Sequence, residues 1–393
     1  MNFHGLLTLV LTSKLYKKSL GLFRFPFRLL PVSSKKVVFF NFNGKGYGDN
    51  PKYVAQEIIR QQLNYDLVWV VNDMKEPLPK EIRPVKMWTL RYVYELATTK
   101  VIVSNVKNYL PFVKRCSQYY VQTWHGAIPF KNIEKDAEAT LAPAYIKESK
   151  ANSRITDVCI SCNSIQSENY REAFWFDGEI MECGYPRSDF FFSPQSEKDR
   201  MKTKMKLPAD KGIMLYCPTF RDNGASEAYG IVPDQILDAL HRSTGREWIL
   251  LVRMHPNDKK GVSLFRFNDR VINMTAYPDM QELLFVANAQ ITDYSSTIAE
   301  FLIMQTPVFV FASDLEEYSR TRGLSKNYFE LPFKINRTND ELVQTISAYS
   351  EIAYRKAMAP YMQRYNSFDD GHASERVVDR IKSVVEGTFV KNV

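Results

Sequence analysis

Two histidines close apolar runs, one in each half of the chain: Val121-Gln-Thr-Trp124-His125-Gly126 and Ile249-Leu-Leu-Val-Arg253-Met-His255-Pro256. Histidine is the side chain best suited to move a proton near neutral pH. A third run, Ala289-Gln-Ile-Thr-Asp293-Tyr-Ser295-Ser296-Thr-Ile-Ala-Glu300, reads as a short strand entering a hydroxyl-rich helix start over residues 296–304. Hydroxyls and the unpaired N–H groups of a helix start hold phosphate. Together the three runs point to one site, built from both halves, for a phosphorylated or nucleotide-activated substrate. Each run also has a plainer reading. A strand-end histidine can be satisfied by a backbone carbonyl, a loop histidine can sit beside a surface Arg253, and Asp and Ser commonly cap helices. The clustering of Trp124, His125 and Gly126 favours function, because glycine lets a ligand approach the backbone. Pro256 ends its strand and keeps His255 out of helical geometry.

Other residues fit the same chemistry. Pro218-Thr219-Phe-Arg221-Asp222 follows a strand directly, and an arginine there clamps a phosphate with two hydrogen bonds. Asp222 reads as a turn residue. Gly184-Tyr-Pro-Arg187-Ser-Asp189 offers a second pair, Arg187 and Asp189, at the junction between halves, with a hinge turn as the rival reading. Asp293 is placed to cap a helix or to orient a histidine. Glu300, one turn into that helix, is placed to accept hydrogen bonds from ribose hydroxyls. After Pro129, Lys131 and Lys135 suggest a loop entering a basic helix. Gly44-Lys-Gly-Tyr-Gly48 lacks both the GxxxxGK[ST] pattern and full GxGxxG spacing. It reads as a strand-to-helix turn on the acceptor side. No metal-ligand cluster and no cofactor pattern is visible. Cys159-Ile-Ser-Cys162 has CxxC spacing without a second pair or a nearby histidine, and the five cysteines (116, 159, 162, 183 and 217) read as ordinary core thiols.

These motifs need strand ends to carry them. Apolar runs predict strands at 37–42, 67–71, 85–88, 101–104, 119–123, 155–160 and 180–183, with helices at 52–62 and 92–99. A charged helical stretch at 197–206 reads as a bridge. The pattern then restarts, with strands at 212–218, 247–253, 271–274, 289–292 and 307–312 and helices at 231–242, 280–287, 340–358 and 374–386. Strands alternating with helices imply parallel sheets covered on both faces. The expected fold is α/β, with two doubly wound Rossmann-like lobes facing a central cleft. The first spans residues 36–205 and the second 206–393. Such lobes bind ligands beyond the carboxyl ends of their strands, where all three opening motifs fall.

At 393 residues the length predicts two or three domains. Contents of 45% hydrophobic and 24% charged residues allow a sizeable core. The net charge is +8, and residues 1–36 hold seven Lys and Arg with no acid, which leaves the remainder near neutral. A general nucleic-acid binder would instead carry its basic patch on the folded body. Residues 1–35 mix Leu and Phe with Lys and Arg, without the roughly 20 uninterrupted apolar residues of a membrane span. They suit an amphipathic segment lying on an anionic membrane surface. A helix packed on the body is the plain alternative. A signal peptide fits less well, because the basic residues follow the short apolar run and no cleavage site is evident.

Several motifs, in this order and separation, resemble the CDP-glycerol glycerophosphotransferase family, the teichoic acid primases and polymerases of Gram-positive bacteria and related capsule enzymes. They are the run Phe42–Pro51, Thr123-Trp-His-Gly126, Gly184-Tyr-Pro-Arg187, Pro218-Thr-Phe-Arg221, Arg253-Met-His-Pro256, Thr292-Asp-Tyr-Ser-Ser296 and Phe368-Asp-Asp-Gly-His-Ala-Ser-Glu-Arg376. The match covers roughly residues 36–385. Many members have Thr-Pro where this chain has Ala127-Ile128, and Trp where it has Phe220. The resemblance implies a GT-B fold and peripheral attachment at the cytoplasmic face of the membrane. It also implies transfer of glycerol phosphate or ribitol phosphate from a CDP-alditol donor to a lipid-linked polyol-phosphate or glycan acceptor. By the same resemblance His125 is the general base. His255 with Ser295 and Ser296 binds the donor pyrophosphate, Arg221 stabilises phosphate charge, and Glu300 lies near the nucleotide. Trp124, Gly126, Arg187, Thr219 and Arg253 complete the expected binding set. Two rival functions share some of these features: a GT-B glycosyltransferase using a nucleotide sugar, and a non-catalytic membrane-surface binding protein.

Overall fold

The computed structural model describes residues 24–107, 114–221, 226–255 and 258–389. Most of the basic amphipathic segment expected over residues 1–35 therefore lies outside the described residues. Its end, Arg24–Arg28, is a short helix. The Arg115 guanidinium fastens the following turn to the body by donating to the carbonyls of Arg28 (3.1 Å) and Leu30 (2.8 Å). Among the described residues no helix is long and apolar enough to cross a membrane.

Two parallel sheets form the body. The first holds β1 (Lys36–Phe40), β2 (Asp66–Val71), β3 (Ile82–Lys86), β4 (Val101–Ser104), β5 (Tyr119–Gln122), β6 (Val158–Ser161) and β7 (Glu179–Glu182), in the order β3-β2-β1-β4-β5-β6-β7. The second holds β8 (Gly212–Tyr216), β9 (Trp248–Val252), β10 (Val271–Asn273), β11 (Ala289–Thr292), β12 (Val308–Phe311) and β13 (Ile335–Asn336), in the order β10-β9-β8-β11-β12-β13. Every pairing is parallel, with Val38 opposite Val68 and Ile102, and Leu215 opposite Leu251 and Gln290. Helices cover both faces, so β1, β8 and β9 are buried along their whole length. This is why their sequences read as continuous apolar runs rather than alternating ones. In each sheet the strand order reverses once, between β1 and β4 and between β8 and β11. That is the doubly wound arrangement, and the reversal is where such sheets open a crevice.

Some elements differ from expectation. The third strand lies at Ile82–Lys86 rather than 85–88, and Trp88 leaves it with a positive φ of 62°. Ile155 ends a helix, Pro143–Ile155, and does not begin a strand. The expected helix 340–358 is two helices, Asn339–Ser347 and Glu351–Tyr365, because the Ser350 side chain accepts from the backbone of Ala353 and starts a new helix. The helix expected from 296 starts at Ile298. There the Ser295 hydroxyl accepts from the backbone N–H (3.3 Å) and the hydroxyl (3.1 Å) of Thr297, which makes a turn instead.

The end of the chain returns to the first sheet. Ser367 bridges Asn163, and the Phe368 N–H donates to the Cys162 carbonyl at 2.8 Å. Asp189 receives the backbone N–H groups of Ala373 (2.9 Å) and Ser374 (2.7 Å), at the start of helix Ala373–Glu386. The buried face of that helix, with Val377, Val378 and Ile381, packs on helix Asp49–Arg60. Arg380 pairs with Glu179 of β7. Asp189 is thus a cap for the last helix and not a ligand-facing partner of Arg187. Cys159, Cys162, Cys183 and Cys217 are buried and unbridged, and Cys116 is exposed. Burial pushes the Cys183 thiol up to about 12 and the Cys217 thiol up to about 11.

Candidate active site

The strand ends of the two sheets face each other across a cleft, and the opening motifs meet there. A cavity of about 450 Å³ is lined by Trp124, His125 and Gly126 from the end of β5, Thr219 from the end of β8, Arg253 and His255 from the end of β9, and Ser295 and Ser296 from the end of β11. That volume suits a ligand of nucleotide size. A side-chain carbon placed on Gly126 would stand 3.6 Å from the Trp124 ring nitrogen and 3.9 Å from Ser296 Oγ, so the two lobes touch at this point.

The chain positions His125 closely. Trp124 takes a left-handed φ of 53°, a strained choice for a bulky residue. Gln122 Oε1 receives the Trp124 N–H at 2.9 Å, and Asn50 Nδ2 donates to the Trp124 carbonyl at 3.1 Å. The His125 ring then lies beside the Trp124 ring, at 4.4 Å between centroids. Its Nδ1 is 2.6 Å from the backbone carbonyl of Asn105, at the end of β4. A carbonyl only accepts, so Nδ1 carries the proton and Nε2 keeps its lone pair. Burial pulls the His125 pKa below its ordinary 6.5, against the opposing pull of the Asn105 carbonyl. The ring is therefore neutral at pH 7 and able to take a proton.

His255 stands differently. It is exposed, and its ring lies 4.8 Å from that of Phe220 at an interplanar angle of 33°. Next to it, Ser295 and Ser296 are half-buried. Among the described residues, no protein acceptor engages their backbone N–H groups. Adjacent N–H groups of this kind make an anion-binding concavity.

Three expected ligand-binding residues are engaged by protein groups instead. Arg221 is not poised as a phosphate clamp. Its Nε donates to Asp314 Oδ2 (2.6 Å), its Nη2 to Asp314 Oδ1 (3.0 Å) and Asp293 Oδ2 (2.8 Å), and its Nη1 to the Thr219 carbonyl. Asp293 orients that arginine and receives the Thr219 N–H at 2.9 Å, so it caps no helix and holds no histidine. Arg187 spans the lobes: Nη1 donates to Asp49 Oδ2 and to the His125 carbonyl, each at 2.9 Å, and Nη2 donates to Glu300 Oε1 at 2.8 Å. Glu300 is buried against Arg187 and does not line the first cavity. Burial raises its carboxyl pKa, with Arg187 pulling the other way.

The sequence profile described as CDP-glycerol:poly(glycerophosphate) glycerophosphotransferase matches residues 22–383. The chain belongs to this glycerophosphotransferase family. It is 31% identical over 366 residues to a teichoic acid poly(glycerol phosphate) polymerase of Staphylococcus epidermidis, which covers 89% of this chain and 51% of that protein. It is 30% identical over 383 residues to a teichoic acid poly(ribitol-phosphate) polymerase of Bacillus spizizenii, which covers 93% of this chain and 59% of that one. The chain thus spans about half the length of the Staphylococcus relative and under two thirds of the Bacillus one. A variant of the wall teichoic acid polymerase TagF, soaked with CDPG, superposes with a TM-score of 0.83 at 30% identity, covering 95% of this chain and 94% of that one. The expected GT-B arrangement of two lobes holds.

Beyond the motif residues, the structure places further side chains at the site. Lys131 lines the cavity, and burial lowers its pKa against the pull of Asp293. It sits where the lobes join by backbone: Lys131 bridges Leu324, and Phe130 receives the Ser325 N–H at 3.0 Å. The sequence suggests here only a loop entering a basic helix, and the position of Lys131 two residues after Pro129 is the available signal. Asn50, in the first turn of helix Asp49–Arg60, holds the Trp124 carbonyl, and Asn105, at the end of β4, holds the His125 ring; the motif Phe42–Pro51 contains Asn50 without showing this role.

Proposed function

We propose that this chain transfers glycerol phosphate or ribitol phosphate from a CDP-alditol to a hydroxyl of a membrane-linked acceptor, releasing CMP, in teichoic acid or capsular polymer synthesis. One observation carries the reading: a neutral histidine, its proton fixed on Nδ1 by Asn105, opens onto a cavity whose far wall holds a second histidine and backbone N–H groups that no acceptor among the described residues engages. The description of the family and the CDPG soaked into the TagF variant support the donor class.

In this reading the acceptor hydroxyl attacks the β-phosphorus of the donor. Its proton passes to His125 Nε2, a new P–O bond forms, and the bond from the β-phosphorus to the bridging oxygen breaks. The electron pair leaves with CMP. His255, Lys131, Arg253 and the Ser295–Ser296 turn hold charge on the diphosphate, where preorganised donors act most strongly. General-base help of this kind is worth about 10²–10⁴-fold. Arg221 and Glu300 act as positioning residues. Arg221 fixes the Pro218–Thr219 turn, and Glu300 fixes Arg187 and through it the His125 carbonyl.

Residues 36–205 would serve the acceptor and 206–393 the donor, with the last helix bracing the first lobe. Residues 1–35 would rest on anionic lipid at the cytoplasmic face, and deleting residues 1–33 should weaken binding to anionic liposomes. The deciding assay offers purified protein CDP-glycerol and, separately, CDP-ribitol, with a lipid-linked glycerol-phosphate acceptor. CMP from one donor, lost in His125→Ala, supports the reading and names the alditol. Release of a nucleoside diphosphate from a nucleotide sugar would replace it with glycosyl transfer.

A further inference from the structure

An exposed phenylalanine stands beside the base. The centroid of the Phe42 ring lies 5.1 Å from that of His125, at an interplanar angle of 62°. The Trp124 ring lies 4.4 Å from His125 at 32°. Trp124 lines the first cavity but not the adjoining hollow of about 490 Å³, Phe42 lines that hollow but not the first cavity, and His125 lines both. The imidazole therefore stands at the boundary of the two spaces with an aromatic ring toward each. With Nδ1 on the Asn105 carbonyl, Nε2 is the nitrogen left to take a proton.

Holding Phe42 there works against its backbone and its solvation. Its φ of 41° lies in the left-handed region, and Asn43 follows at 56°. Such backbone is strained for a bulky side chain. The residue also stays 37% exposed, so burial offsets only part of the strain. Hydrogen bonds pin the turn. The Phe42 N–H donates to Asn105 Oδ1 at 2.9 Å, and Asn105 Nδ2 donates to Asn41 Oδ1 at 2.9 Å. Asn41 Nδ2 donates to the carbonyls of Lys45 (2.8 Å) and Gly46 (3.2 Å). Asn105 thus fixes the proton of His125 with its carbonyl and places Phe42 with its side chain. Strain held by surroundings that over-determine it is typical of functional positions.

The reaction supplies a function for such a ring. A donor diphosphate beside a neutral histidine is open to attack by water as well as by an alditol hydroxyl. Water would form the new P–O bond at the β-phosphorus and pass its proton to His125 Nε2. The bond to the bridging oxygen would break, its electron pair leaving with CMP, and free alditol phosphate would result. An ordered water needs about two to four polar partners, and an aromatic ring supplies none of the ordinary kind. An alcohol differs from water by its carbon, which does gain from contact with an apolar ring. Excluding water from a site in this way suppresses hydrolytic side reactions.

We infer that Phe42 selects an alditol hydroxyl over water as the nucleophile, by filling with an apolar ring the place beside His125 that solvent would take. Phe42 is a positioning residue, acting through the base and not on the phosphorus. The inference rests on the transfer reading above and concerns only which nucleophile the base is offered.

The partition between hydrolysis and transfer gives the test. Phe42→Gly removes the ring and suits the left-handed backbone. The donor is whichever CDP-alditol the parental chain turns over, with a lipid-linked oligo(glycerol phosphate) as acceptor, and both free and incorporated alditol phosphate are counted. The ratio of free to incorporated product should rise about tenfold or more in Phe42→Gly and stay within about threefold of the parental ratio in Phe42→Leu. A merely structural role would slow both reactions together, so an unchanged ratio in Phe42→Gly overturns the inference. An equal rise in Phe42→Leu overturns it too, because an apolar side chain would then not suffice. If Phe42→Gly loses its cooperative melt, Phe42→Asn decides, since Asn tolerates this backbone and offers water a partner. Its ratio should rise by the same amount, and an unchanged one overturns the inference. A parental chain that releases no CMP from either CDP-alditol overturns the transfer reading and this inference with it. A parental chain that transfers, with a flat ratio across the variants, overturns this inference alone.

Discussion

His125 follows β5 of the first sheet and His255 follows β9 of the second, on opposite sides of the strand-order reversal, and their surroundings give them different chemistry. His125 has Asn105 on one ring nitrogen, Trp124 on its face and Arg187 on its carbonyl. Every contact restrains it to one tautomer and one orientation. His255 is exposed and lies beside Phe220. The restrained ring suits proton transfer, where angle and protonation state decide the rate. The exposed ring suits contact with an anion arriving from solvent. The difference arises outside the two motifs. The carbonyl that fixes His125 belongs to the neighbouring strand end, and the arginine beneath it reaches from the lobe junction.

The comparison can be broken at its strongest point first. His125→Ala should lower turnover by about 10²–10⁴-fold and leave CDP-glycerol affinity within twofold in calorimetry. An equal loss of affinity would make His125 a binding residue like its counterpart. Arg187→Met strips the support beneath His125 and leaves Asp49 and Glu300 buried without their cation. Breaking such a pair costs about 3–5 kcal/mol, so the melting temperature should fall sharply. A variant with the parental melting temperature would remove the arginine from this account. His255→Ala should weaken donor binding by about 10–100-fold, the scale of a hydrogen bond to a charged group, with a smaller effect on turnover at saturating donor. Ser295→Ala loses one hydroxyl that already serves Thr297, and should cost about 0.5–1.5 kcal/mol in donor affinity.

The smallest effect is on the pH profile. Burial holds the His125 pKa below 6.5, so kcat/KM should stay level as pH falls through 6.5, with its acid limb lower. The same shift means that the unfolded chain binds the proton more readily, so this residue's contribution to stability is full above about 6.5 and is lost below it. An acid limb above 6.5 would move the base elsewhere.

The fold was largely legible because parallel strands buried on both faces write themselves as apolar runs. Val101–Ser104 and Ala289–Thr292 fall where expected. Helices Pro143–Ile155 and Ser164–Ala173 are not legible in the sequence, because both are mostly polar and their few apolar residues form no marked helical stripe. The residues of the site were legible as types, and most of them do line the cleft. Their partners were not. That Arg221 is spent on Asp293 and Asp314 follows from contacts across 72 and 93 residues, which no local pattern records. Lys131 was seen but not placed, because its role depends on the bridge to Leu324.

The returning helix Ala373–Glu386 has a consequence for synthesis. The outer face of helix Asp49–Arg60 is covered by residues made more than 300 positions later. A growing chain therefore carries an incomplete first lobe until the second has been translated, against the usual order in which the leading domain folds first. A ribosome stalled after β13 would hold a second sheet with all its strands and a first one still exposing the groove that the final helix fills.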